Sequence, residues 1–185
     1  MTTLVIGSGL IGSQAFADHP PVALRDIAAI LNLDVVNLYG RTRDVAALGL
    51  DQSTLGDLFT RAARAEGLRV TENQEALLQG SYFRSDHFPL ARAGIPGTSI
   101  QHGSDFVSRP AGWGKEQEDK YIAERYHQPA DEVLPWFTYD GALQQLRVTV
   151  RTAVLVGDAP DQPTWAATSE FRQAGEARRP GGASR

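Results

Sequence analysis

Cysteine is absent from all 185 residues, which removes disulfides, thiolate-held zinc, iron–sulfur clusters and thiol nucleophiles together. Any metal bound by this chain must be held by histidine and carboxylate. Basic charge is scarce as well: 18 Lys+Arg against 22 Asp+Glu leave a net charge of -4, so no field gathers phosphate backbones and nucleic acid is not an expected partner. No apolar run approaches the roughly 18 to 20 residues that span a bilayer, so no membrane span is expected. Met1 to Ser8 carries neither a basic stretch nor an apolar run long enough for a secretion signal, so the chain as written is expected in the cytoplasm. What is present is ordinary globular material, 42% hydrophobic and 22% charged, enough for one domain with its own core.

The chain alternates strand-like and helix-like segments, and the pattern predicts an α/β fold in three layers, α/β/α, around a mixed, mostly parallel sheet. Thr2 to Ile6 reads as a short strand and Leu10 to Ala17 as a helix of about two turns, stopped by Pro20-Pro21. Arg25 to Asp34 reads as a buried strand with a carboxylate at its carboxyl end. Val45 to Gly49 follows as another strand. A helix begins at Ser53 or Thr54, carries Leu55, Leu58, Phe59 and Ala62 on one stripe, and is ended by Gly67. Leu68 to Val70 and Ile95 to Ile100 are further strands, and Pro89 suits the first turn of a helix ending at Gly94. The polar stretch from His102 to Glu124 reads as a surface excursion. Asp140 opens a helix whose stripe of Leu143, Leu146, Val150 and Val154 is expected to face the core, with Gly157 ending it. Residues 1–175 are expected to form the domain and 176–185 a flexible tail.

Three chemistries compete for the polar residues. Gly7-Ser8-Gly9-Leu10-Ile11-Gly12 after a strand, with Asp34 about twenty positions on, has the letters of a dinucleotide fingerprint, although the two prolines cut the crossover helix short. Ser85-Asp86-His87 spells a triad only in letters, because adjacent side chains point apart. Asp34, Asp86, His87, His102 and His127 fall at strand ends or loops, where imidazole and carboxylate suit zinc.

Taken together, Gly9-Leu10-Ile11-Gly12-Ser13, Asn32-Leu33-Asp34, Tyr82-Phe83-Arg84-Ser85-Asp86-His87 and Tyr126-His127-Gln128-Pro129-Ala130-Asp131 resemble the co-catalytic zinc exopeptidases of metallopeptidase family twenty-eight. Bacterial leucyl aminopeptidases, glutamate carboxypeptidase and glutaminyl cyclase are its relatives. The resemblance implies hydrolysis of a terminal peptide bond by water held between two zinc ions, with a peptide bearing a free terminus as substrate. It implies that Asp34 ligates one zinc, His127 the other, and that Asp86 holds neighbouring groups by hydrogen bonds. Tyr126 would border the substrate, and Asp131 would orient His127 or cap a helix. The family's Glu-Glu pair, general base and zinc ligand, would fall at Ile6 and Gly7, and its His-x-Asp motif would lie upstream of this sequence. The expectation is therefore a C-terminal portion of an aminopeptidase-like domain with impaired hydrolysis and doubtful zinc occupancy. The alternative is a non-catalytic relic that binds peptides through the old cleft, lined by Tyr82, Phe83 and the loop around Trp113.

Overall fold

The computed structural model describes residues 9–179. The predicted Thr2–Ile6 strand and the glycine at position 7 lie outside them. The described chain is an α/β fold on a four-stranded mixed sheet of order β1-β4-β2-β3. Its strands are β1 (Ile30–Asn32), β2 (Asp44–Leu48), β3 (Arg69–Thr71) and β4 (Gly97–His102). β1 runs parallel to β4 and β2 parallel to β3, while β2 and β4 meet antiparallel at the centre. Two of three pairings are parallel, as the alternating segments predicted.

The helices are α1 (Ile11–Asp18), α2 (Leu55–Ala65), α3 (Gln74–Leu78), α4 (Phe88–Arg92), α5 (Trp113–Glu124), α6 (Asp140–Gly157) and α7 (Arg172–Ala177). Alternate strand residues serve opposite faces, because successive side chains of a strand point to opposite sides. Val45, Ala47, Ile100 and Leu31 pack with Phe59, Ala62 and Val148 of α2 and α6. On the other face Ile30 joins Ala17 and Leu90, and Leu48 joins Tyr82, Ala91, Trp165 and Phe171. The stripe predicted for α2 is therefore real: Leu55, Phe59 and Ala62 are buried, Leu58 half-buried, and Gly67 leaves the helix at φ 74°.

Four expectations need correction. The long strand over Arg25–Asp34 is only three residues, because Leu24–Asp26 coils into a 3₁₀ turn before β1 begins. The stretch from His102 to Glu124 is not an excursion throughout, since its second half is the helix α5. That helix lacks an apolar stripe and is anchored instead by Trp113, packed edge-on against Tyr39 and Phe106. The helix α6 forms where predicted but turns the other way: Ala142, Gln145, Val148 and Thr152 are buried and Leu143, Leu146, Val150 and Val154 are exposed. Polar burial on α6 costs little because it is satisfied: Gln145 accepts from the Asn37 amide at 2.6 Å and donates to the Val35 carbonyl, and the Thr152 hydroxyl donates back to Val148. Finally, Tyr82 is a core residue, its ring tilted against Phe171 with centroids 6.1 Å apart, and not a cleft lining.

The C-terminal segment is clamped to this core. Gly94 turns the chain from α4 into β4 at φ 92°, and its carbonyl accepts from the Trp165 indole at 2.9 Å and the Arg178 guanidinium at 2.8 Å. Arg178 also donates to the Leu24 and Ile27 carbonyls at 3.0 Å.

Candidate active site

Open α/β sheets collect ligands beyond the carboxyl ends of parallel strands, where helix and strand ends leave a crevice. Here β1 and β4 run parallel, so Asp34, two residues past β1, and Gln101 and His102, at the end of β4, come to the same side of the sheet. They line a cleft of about 600 Å³. Tyr39, Phe106, Ile122, Tyr126 and Phe137 form much of its apolar wall. Its charged lining is mostly acidic: Asp34, Glu75, Glu118, Asp119 and Asp131 against Arg84. Two of these acids share a single counter-charge, Lys115 on α5, which meets Glu75 of α3 at 2.9 Å and Asp119 at 2.8 Å. Those two bonds hold its ammonium pKa above the usual lysine value and tie α5 to α3. A smaller cavity of about 310 Å³, bordered by Gly94, Trp165 and Arg178, includes none of the residues predicted for chemistry.

The predicted residues divide among three places. Asp34 and Tyr126 share the cleft. Asp86 lies outside its lining and accepts a hydrogen bond from the Ser13 hydroxyl at 2.8 Å, joining the Ser-Asp-His segment to the Gly-Leu-Ile-Gly-Ser segment that opens α1. His127 is exposed, sits in the left-handed region at φ 57°, and stacks its ring on Tyr126 with centroids 3.8 Å apart. It does not line the cleft. Asp131 neither holds His127 nor starts a helix; its carboxylate accepts from the Tyr121 hydroxyl at 3.2 Å. Phe83 and Trp113 stand outside the cleft lining as well.

His87 behaves differently from every other histidine. It is fully buried against the Tyr82 ring at 4.4 Å, and neither ring nitrogen has a hydrogen-bond partner among the described residues. Burial lowers its pKa to about 4 despite the nearby Asp86 carboxylate, so at neutral pH it is a neutral packing residue. Tyr82, in the same core, has its hydroxyl pKa raised by burial and donates to the Gly97 carbonyl at 3.1 Å.

His102, named among the strand-end candidates, does line the cleft, whereas sequence reading missed Gln101 and Tyr39. A signal was available for Gln101, which sits beside His102 at the end of the same strand. Tyr39 carries none, because it reaches the cleft from an irregular segment.

The profile of peptidase family M28 matches residues 7–149. The chain belongs to peptidase family M28. A search of curated proteins found no match. Membership makes it a hydrolase by family, and the matched span covers the glycine segment, Asp34, Asp86 and His127 alike. The glycines that spelled a dinucleotide fingerprint thus belong to the peptidase pattern. No helix of the described residues is long and apolar enough to cross a membrane.

Zinc, which the family resemblance implies, can be tested against the donors present. Zinc sites need three or four ligands converging within bonding distance. Among the described residues no group of three or more histidines and carboxylates stands close enough to hold a metal ion. Asp34 lies in the cleft and His127 faces outward, so this donor set does not fit a two-zinc centre.

Proposed function

We propose that this M28 chain binds a peptide with a free amino terminus in the cleft bordered by Asp34 and Tyr126, as an aminopeptidase-type member whose own hydrolytic activity is impaired. The observation that carries the reading is the pairing of an apolar wall with an acidic border in one 600 Å³ cleft. An ammonium terminus is drawn to carboxylates, while the side chain beside it finds Tyr39, Ile122 and Phe137. A free carboxyl terminus would meet mostly like charge, which disfavours a carboxypeptidase reading. Impairment follows from the chemistry of the chain: Ile6 and Gly7 stand where the resemblance puts a general base and a zinc ligand, and neither carries a group that takes a proton or binds a metal. A purely non-catalytic relic is the neighbouring reading, and it shares the binding site.

Titration of a short apolar peptide by calorimetry, with its N-acetylated counterpart beside it, tests this. The free-amine peptide should bind about fivefold more tightly, about 1 kcal/mol for a partly solvated ion pair, and Asp34→Asn should remove most of that margin. Equal affinity for both peptides would sink the reading.

A further inference from the structure

The helix α6 has two opposite faces. One is buried, with Val148 packed into the core of α2 and the sheet beside Ala142, Gln145 and Thr152. The other carries Tyr139, Leu143, Leu146, Val150 and Val154, which are 63%, 51%, 43%, 60% and 53% exposed. These five recur at steps of four, three, four and four residues, so they lie on one continuous stripe along the helix. A continuous apolar stripe left open to water on the side away from the core marks a surface that a partner covers.

The charges beside the stripe say what covers it. Asp140 and Arg147 are seven residues apart and therefore flank the stripe on the same side, two turns from each other. Both are exposed, and neither forms an ion pair with any described residue. Arg151, one turn on, is instead paired with Glu66 at 2.7 Å. An unpaired acid and an unpaired base on one flank are complementary to the same flank presented in reverse. That is what a two-fold axis perpendicular to the helix produces.

We propose that this face is closed by a second copy of the chain, with α6 packed antiparallel on its mate. In that register Leu143 meets the partner's Leu146 and Tyr139 meets the partner's Val150, each contact made twice. Arg147 then reaches the partner's Asp140, again twice. Antiparallel helices also set opposite ends of their dipoles side by side. Parallel pairing places Arg147 beside Ala142 and Thr149 of the other copy, which offer no carboxylate. The shared seam runs from Tyr139 to Val150, about 18 Å of helix, so the interface is at the small end of specific contacts and the dimer is concentration-dependent.

Sedimentation velocity of the full chain from micromolar to hundreds of micromolar tests the pairing. The wild type should pass from the 20.1 kDa species to one of twice that mass. Leu146→Glu, an exposed change checked for fold by far-UV circular dichroism, should stay monomeric throughout. Arg147→Asp should weaken dimerisation about tenfold, and adding Asp140→Arg to the same chain should recover most of the loss, because the pair is then reversed and intact. A wild type that remains monomeric, a dimer that Leu146→Glu leaves unchanged, or a double variant no stronger than Arg147→Asp alone overturns the proposal.

Discussion

Gly94→Ala should lower the stability of the folded chain by about 3 kcal/mol or more, read as a drop in the urea midpoint at constant slope. Two costs combine there. The backbone is at φ 92°, a conformation that any Cβ strains, and a Cβ built at this position overlaps the backbone carbonyl of Ala174 in α7. Overlap with backbone cannot be relieved by a rotamer change, so α7 must move away. Its departure would pull on Trp165 and Arg178, both hydrogen-bonded to the Gly94 carbonyl. Gly67→Ala supplies the contrast. It has a similar φ of 74° with nothing within 4 Å of the added carbon, so it should cost only about 1 kcal/mol of backbone strain. If the two substitutions cost the same, steric locking of the C-terminal segment at Gly94 is wrong.

Acid should weaken the fold through His87. In the unfolded chain this imidazole titrates near 6.5, and in the folded chain burial lowers it to about 4. Between those values the unfolded state binds the extra proton, so stability rises with pH across the window and is lost as pH falls through it. The full contribution is present above about 6.5 and gone below about 4, and the gap corresponds to roughly 3 kcal/mol. Urea unfolding of the wild type and His87→Leu at several pH values between 7.5 and 4 separates this from the carboxylates, whose effect both proteins share. The variant should lose distinctly less stability over that range. Parallel pH profiles would mean that His87 finds a partner for its charge.

The two central strands could be placed from the letters, because β2 holds the apolar run Val45 to Leu48 and β4 follows the turn at Gly94, although Ile100 is its one large apolar residue. The α2 boundary was legible for the same reason, with a stripe, a cap region and Gly67. The orientation of α6 was not. Counting apolar residues favours Leu143, Leu146, Val150 and Val154 as the inner face, but the helix is turned over by hydrogen bonds of Gln145 with Asn37 and Val35 and of Gln144 with Thr42, and by the packing of Val148. Long-range hydrogen bonds of that kind leave no local pattern. The α5 helix escaped notice because its hold on the fold comes from one end, through Trp113 and Lys115, and not from a periodic stripe. For the site, the strand-end rule and the family resemblance both led to Asp34, and Tyr126 shares its cleft. His127 follows Tyr126 in sequence and stacks on its ring, yet it is exposed and outside the cleft lining, which no local pattern in the letters discloses.

The measurement that bears most directly on the account is zinc content and peptide hydrolysis on one sample: elemental analysis after dialysis against micromolar zinc, then turnover of an aminoacyl nitroanilide. Fewer than one zinc ion per chain should be retained, and hydrolysis should run at the buffer rate. Two retained ions with turnover, both lost in Asp34→Asn and His127→Ala, would contradict that expectation and place a complete metal centre in this chain.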